Sequence, residues 1–390
     1  MSAYLVITEL FAPTHGGTAV WFAEVYARLG ADNEVLTAAV PDAAAVDAGH
    51  PARIHRLPLA RVPWLRPESL PMYLRLFGHA LWRALRRRFT AIHAGRALPE
   101  GLVAWLAARL TGHQVVVYAH GEELTGCGQG AKYRVMRWVL RHADRVIANS
   151  ERTREHLLEM GVPDARIAIV YPGVDCTRFT PAPPILALQA RLGLPAEARI
   201  VLSVGRLQRR KGFAAVLAAV PALLAAGFDL HYVLVGSGEQ ASALRALASE
   251  LGVAARFHLL EDIDSAALPD CYRSCEVFAM PNVDVDGDTE GFGMVFLEAA
   301  ACARPALAGL AGGTGSAVLD GVTGLRVNGS DPTEVCAALR RLLGDRAYAS
   351  ALGEAALRRV RAQFDWPRVA AQTAALSGRA ATHRTSAVQP

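Results

Sequence analysis

Short apolar runs recur along the whole chain with helix-period stretches between them, and no other feature restricts the possible folds as much. In the first half the runs are Tyr4–Thr8, Glu34–Thr37, Ala91–His93, Gln114–Ala119 and Arg145–Ala148, with helical patterns at Val20–Leu29, Leu102–Leu110 and Tyr133–His142. Runs that are apolar throughout suit strands buried on both faces, and strands alternating with helices suit a parallel sheet with helices on both sides. The rhythm breaks near Tyr171-Pro-Gly-Val-Asp175 and at Pro181-Ala-Pro-Pro184. It resumes with Arg199–Val204, Leu230–Val235 and further runs near 256–260, 277–280, 305–308 and 323–327. The fold class expected is α/β, with two doubly wound Rossmann-like domains facing across a cleft, over 1–180 and 181–362. A last helix falls within 363–378, and the polar tail 379–390 is expected to be disordered. With 390 residues, each domain is long enough to bury its own core.

Composition narrows the function classes. A net charge of +5 permits an anionic partner without choosing one, and no nucleic-acid recognition motif accompanies it. The six cysteines (127, 176, 271, 275, 302 and 336) form no C-x-x-C pair and complete no zinc pattern, which fits a reduced, cytoplasmic protein. The greasiest helical run, Phe213–Phe228, contains Pro221 and is too short to span a bilayer.

In open α/β sheets ligands bind beyond the carboxyl ends of strands, so strand-to-helix loops carry the chemistry. Four stand out. Gly16-Gly17-Thr18 opens the first helix, either as a tight turn or as a loop whose amides face a ligand. The second loop, Ser203-Val-Gly-Arg206-Leu-Gln-Arg-Arg-Lys211-Gly212, holds one of only two lysines among 41 basic residues. Arg206 can fork across phosphate oxygens and Lys211 supplies a point charge, so together they suit a diphosphate; otherwise the loop is a solvated basic turn. In the third, Glu290-Gly-Phe-Gly-Met-Val-Phe-Leu-Glu298, one carboxylate precedes a helix starting near Gly293 and the other lies inside it. These suit sugar and ribose hydroxyls, with amides between them for phosphate; alternatively they complement and solvate a helix. His120-Gly121 ends the strand Gln114–Ala119, as a structural hydrogen-bonder or a reacting-centre residue.

The ordered set Gly16-Gly17, His120-Gly121, Val204-Gly-Arg206…Lys211-Gly212, Glu290-x7-Glu298 and Asp320-Gly-Val-Thr-Gly324 resembles the retaining glycosyltransferases of family 4, with the GT-B fold. The layout is similar to that of bacterial phosphatidylinositol mannosyltransferases. The resemblance spans essentially the whole chain and implies a final helix crossing back to the N-terminal, acceptor-side domain. It implies that His120, Glu290, Arg206 and Lys211 are catalytic. Gly16, Gly17, Arg206, Lys211, Glu290, Gly291, Phe292, Gly293, Met294 and Val295 would bind donor diphosphate and sugar. Gly236, Ser237, Ile263 and Glu298 would bind the nucleoside. The implied reaction moves a hexose from GDP-mannose or a UDP-sugar to a lipid-linked or glycan acceptor, by same-face attack, with no cofactor and no metal.

Two positions depart from the family pattern: Ser316 stands where relatives often carry Glu, and Leu260 where glycine is common. Asp284-Val-Asp286-Gly-Asp288 resembles a metal motif, but its spacing fails an EF-hand, and it reads as an exposed acidic loop. Residues 61–89 mix Trp64, Tyr73, Phe77, Trp82 and Phe89 with arginines, as an ordinary surface helix or as a peripheral contact with an anionic membrane. Rival functions are a nucleotide-sugar epimerase of the same architecture and a non-catalytic nucleotide or lipid-surface binding protein. A pyridoxal-dependent phosphorylase is disfavoured, because Lys132 and Lys211 are the only lysines.

Overall fold

The computed structural model describes residues 3–14, 16–59, 68–125, 130–182 and 186–377. Trp64, Cys127, Pro183, Pro184 and the tail 379–390, all named above, lie outside the described residues. The first half runs β1 (Tyr4–Ile7), α1 (Gly17–Arg28), β2 (Glu34–Ala38), α2 (Ala43–Gly49), β3 (Arg53–Leu57), α3 (Leu70–Arg86) and β4 (Ala91–Ala94). It continues with α4 (Leu102–Thr111), β5 (Gln114–Ala119), α5 (Glu122–Thr125), α6 (Ala131–His142), β6 (Arg145–Ala148), α7 (Glu151–Glu159) and β7 (Ile167–Ile169). The second half runs α8 (Ala187–Leu192), β8 (Arg199–Val204), α9 (Phe213–Ala225), β9 (Leu230–Val235), α10 (Ala241–Glu250), β10 (Phe257–Leu260), α11 (Leu268–Ser274) and β11 (Val277–Met280). It ends with α12 (Met294–Ala301), β12 (Ala306–Gly309), β13 (Gly324–Val327), α13 (Pro332–Gly344), α14 (Arg346–Gln363) and α15 (Trp366–Leu376).

The strands form two sheets, ordered β3-β2-β1-β4-β5-β6-β7 and β10-β9-β8-β11-β12-β13. Every pairing within them is parallel. In both sheets the order reverses beside the first strand, at β1/β4 and at β8/β11, which is where doubly wound sheets open a crevice at their carboxyl edge. The central strands are sealed on both sides, as the uniformly buried β1, β4, β9 and β11 show.

Two strands, β3 and β7, escape the sequence reading. Both β3 (Arg-Ile-His-Arg-Leu) and β7 (Ile-Ala-Ile) are sheet edges, only partly buried. As an edge strand, β3 keeps one side near solvent and lacks a continuous apolar run, whereas β7 is apolar but only three residues long, too short to stand out as a run.

The last helix leaves the second half of the chain. Trp366, Val369 and Ala370 of α15 pack with Tyr4, Val6 and Trp21 of the first sheet's layer. At its end Ser377 Oγ meets His93 Nε2 at 2.8 Å, while His93 Nδ1 meets the Tyr26 hydroxyl at 2.5 Å. Burial drives the His93 imidazole down to about 3, so it stays neutral and serves this buried network as a hydrogen-bonder.

Candidate active site

The carboxyl edges of the two sheets face each other, and the loops singled out in the sequence meet there. The loop after β8 tightens into a single turn at Arg209–Lys211 and ends on Gly212, which has φ +74°. A Cβ on Gly212 would lie 2.0 Å from the Pro281 carbonyl oxygen, so only glycine lets this loop lie against the end of β11. That packing buries Arg210 and Lys211 and leaves Arg206 exposed, with no hydrogen bond or ion pair to the described residues.

Glu290 is the hub. Its Oε2 accepts from Lys211 Nζ and, at 2.9 Å, from Arg210 Nη1. Burial alone would raise this carboxyl, but Lys211 and Arg210, with Arg206 farther off, outweigh burial and hold it below the ordinary carboxylate range. Glu290 is therefore ionised at neutral pH.

Arg210 was not among the residues singled out from the sequence, because a third arginine in a basic loop looks solvated. It is the most buried charge of the cluster, its side chain only 4% exposed. Nη1 reaches Glu290, Nη2 reaches Glu122 at 3.1 Å and Nε lies 3.3 Å from Asp288. Glu122 follows His120-Gly121 in the first half of the chain, so Arg210 spans the cleft. The Asp284–Asp288 loop, expected to be simply exposed, thus lends one carboxylate to this cluster. Asp284 instead accepts from the Gly287 amide at 2.8 Å. No group of three metal-ligating side chains occurs among the described residues.

His120 sits on the opposite wall. Its Nε2 lies 2.9 Å from the Gly95 carbonyl, which can only accept, so the neutral ring carries its proton there and leaves Nδ1 as an acceptor. Burial outweighs nearby Glu123 and keeps this imidazole below its ordinary pKa. Trp21 packs edge-on against the ring, 5.5 Å between centroids. The His120 carbonyl accepts from Asn149 Nδ2 at 2.7 Å and abuts Gly291, where a Cβ would come within 2.0 Å of that oxygen. Any larger residue at 291 forces the walls apart.

Two helix N-termini complete the pocket. Gly16, with φ +137°, precedes α1, and Gly293, with φ +87°, precedes α12. A Cβ on Gly17 would lie 2.9 Å from Met294 Sδ, so the two helix starts, each with unpaired amides, nearly touch. Phe292 is buried behind them in the second core, with Met294 and Val295 partly buried.

The remaining sequence-derived residues lie to one side. Gly236 stacks on Gly205, its amide donating to the Leu260 carbonyl at 2.9 Å, and the Ser237 carbonyl accepts from Leu207 N at 2.9 Å. Ile263 packs on the second core. Glu298 is held by the Tyr272 hydroxyl at 2.6 Å, and burial pushes its carboxyl up to about 7. Gly236, Ser237 and Ile263 thus lie beyond the carboxyl ends of β8, β9 and β10, and Glu298 lies within α12 against α11; none of the four hydrogen-bonds or ion-pairs with Glu290 or His120. Ser316 Oγ accepts from the Glu151 amide at 3.1 Å, at the start of α7 across the cleft.

This geometry can be compared with known proteins. A model described as "Glycosyl transferases group 1" matches residues 186–359, and one described as "Glycosyltransferase Family 4" matches residues 16–178. The chain is 32% identical over 386 residues to the D-inositol 3-phosphate glycosyltransferase of Streptomyces avermitilis, covering 92% of this chain and 82% of that one. The chain belongs to the group 1 glycosyltransferases. It is also 34% identical, over 73% of its length and 75% of the relative's, to the GDP-mannose-dependent alpha-(1-6)-phosphatidylinositol monomannoside mannosyltransferase of Mycolicibacterium smegmatis. Among solved structures, sucrose-phosphate synthase from Thermosynechococcus elongatus superposes with a TM-score of 0.80 at 25% identity, covering 96% of this chain and 98% of that one. Anabaena HepE in complex with UDP and glucose superposes at 0.81 and 19% identity, over 96% and 99%, which shows the GT-B fold.

The glycosyltransferase also buries a carboxyl absent from the sequence reading. Glu100 lies in the β4–α4 turn, one oxygen accepting from the Glu9 amide at 3.0 Å and the other without a partner. Burial pushes it to about 7 from 4.5. The folded state therefore holds a proton that the unfolded chain releases, so stability falls as pH rises from 4.5 towards 7 and stays low above that. Glu100→Gln should raise Tm at about pH 8, by up to the order of 3 kcal/mol in stability, and change little at about pH 4. Calorimetric scans at the two pH values check this.

Proposed function

We propose that this glycosyltransferase moves a hexose from GDP-mannose or a UDP-hexose to a lipid-linked or glycan acceptor, with retention and without a metal. The carrying observation is the cluster of Arg206, Lys211 and Glu290 facing the paired helix starts at Gly17 and Met294. Residues 181–362 take the donor and residues 1–180 the acceptor. Arg206, free in the cleft, forks onto the diphosphate, and Lys211 turns from Glu290 to share its charge with the leaving oxygens. Glu290, ionised, then accepts from hydroxyls of the donor sugar. Glu298 accepts from the ribose, and Gly236, Ser237 and Ile263 flank the base.

The acceptor hydroxyl attacks the anomeric carbon on the face the diphosphate leaves. The C–O bond to phosphate breaks, the new glycosidic bond forms, and the acceptor proton passes to a departing phosphate oxygen. Negative charge grows on the diphosphate, where the cations and amides stand; this is why we read the site as metal-independent. His120, neutral with Nδ1 unprotonated, lies beside the anomeric centre and stabilises its developing positive charge. A GDP donor is favoured by the mannosyltransferase relative, and a UDP donor by the HepE complex.

We place the reaction in cell-envelope or polysaccharide biosynthesis, in the cytoplasm at the inner face of the membrane. No helix among the described residues is long and apolar enough to cross a membrane. The peripheral contact is α3, where Leu74, Trp82 and Leu85 are exposed and Arg86 stacks on Trp82 at 4.3 Å. A panel of GDP- and UDP-sugars, scored for nucleotide release with and without bacterial lipid extract and EDTA, tests the proposal. Release from one donor that requires extract and survives EDTA is expected. Conversion of the donor to an isomer without any acceptor would instead indicate an epimerase.

Glu298 gives the donor step a pH signature. As pH falls through about 7 it takes up a proton and loses an acceptor for the ribose, so donor KM rises. Glu298→Gln should show a high KM that no longer varies across that range.

A further inference from the structure

The first sheet's outer layer is chemically one-sided. Helices α3, α4 and α6 pack side by side over the same core, with Leu76, Ala104 and Val139 facing inward. None of the three contains an Asp or Glu, while Arg75, Arg83, Arg86, Arg109, Lys132, Arg134, Arg137 and Arg141 lie on them. Arg86, Arg109, Lys132, Arg134 and Arg141 pair with no carboxylate among the described residues, unlike Arg83, which is tied to Glu34 at 2.8 Å. These helices also hold eight of the fourteen exposed large hydrophobic side chains among the described residues, including Leu85, Leu110 and Trp138. The layer ends at α7, whose Glu151, Glu155 and Glu159 restore acidic charge.

Exposed apolar side chains interleaved with unpaired cations, and no anions, match one environment: the boundary of an anionic bilayer, where the apolar groups enter and the cations meet headgroup phosphates. We infer that α3, α4 and α6 form a single docking face for an anionic lipid surface, with α6 a contact in its own right. This extends the reading of α3 above and rests on it. A contact along α3 alone, about 25 Å long, lets the molecule roll about that helix. Adding α6 fixes a plane, and so fixes the height and direction of the cleft relative to the headgroups. Trp138, stacked on His142 and edge-on to Trp105, is a rigid amphipathic anchor at the centre of this second contact.

The test is co-sedimentation of the full chain with vesicles of phosphatidylcholine containing one third phosphatidylglycerol, against pure phosphatidylcholine. The variants are R134E/R141E on α6, R75E/R86E on α3, and R340E/R358E on the second half as an equal-charge control. Nucleoside-diphosphate binding serves as the folding check. We expect the α6 pair to lower partitioning onto anionic vesicles by at least about twentyfold, the α3 pair to do likewise, and the control to stay near wild type. If α3 reversal releases the protein and α6 reversal does not, the three-helix face is wrong and the α3 contact stands. Equal loss in the control would reduce the effect to net charge and overturn the inference. Wild-type protein that ignores anionic vesicles would overturn both readings.

Discussion

Lys211→Met is expected to lower kcat/KM for sugar transfer by roughly a thousandfold, chiefly through kcat. The ammonium is buried beside Glu290 and next to the paired helix starts, where a diphosphate gathers charge as the sugar departs. A charge that interacts most strongly with the leaving group stabilises the transition state more than bound donor, and losing such a donor costs about two to three orders of magnitude. The buried Glu290 carboxylate would keep only Arg210, so some stability is lost as well, and Tm must be measured alongside. Lys211→Arg should recover little, because a planar guanidinium cannot replace a compact ammonium in a slot closed by Gly212 against Pro281. A variant retaining more than a tenth of wild-type kcat/KM would remove Lys211 from the leaving-group site.

Arg210→Met should destabilise the protein by about 2–3 kcal/mol and slow turnover by roughly ten- to a hundredfold. The guanidinium holds three carboxylates, but the loss is tempered by their surroundings. Glu290 keeps Lys211, while Glu122 and Asp288, with side chains 37% and 53% exposed, can hydrate. The kinetic loss follows from the bridge to Glu122, which ties the donor loop to the segment after His120. Glu122→Gln alone should be milder, and the double variant should show coupling of about 1–2 kcal/mol. Additive effects in denaturant melts would mean that the two residues do not act as a pair.

Most of the architecture was readable because parallel central strands must be apolar on both faces. The runs at 91–93, 199–204 and 277–280 therefore stand out, whereas the edge strand β3 is largely polar and β7 is only three residues long. The same contrast governs the site. Gly212, Lys211 and Glu290 stood out by residue type and by their place in strand-to-helix loops. Arg210 was hidden, because what distinguishes it from Arg209 is burial against carboxylates distant in sequence, including Glu122 of the opposite wall. Glu100 was hidden for the same reason: a carboxyl in a turn looks solvated until the Glu9 loop closes over it. The acid-free layer of α3, α4 and α6 is spelled out in the sequence, yet it becomes a surface only when the sheet sets the three helices side by side.

The central claim, that this cleft holds a nucleoside diphosphate through Arg206, Lys211 and the helix starts, is tested most directly by calorimetric titration of GDP and of UDP. Wild-type protein and Arg206→Ala, an exposed position where folding is not at stake, should be compared in the presence of EDTA. Wild-type protein should bind one of the two nucleotides, and Arg206→Ala should bind it at least about tenfold more weakly with Tm unchanged. Failure of the wild type to bind either nucleotide, or equal affinity in the variant, would contradict the account.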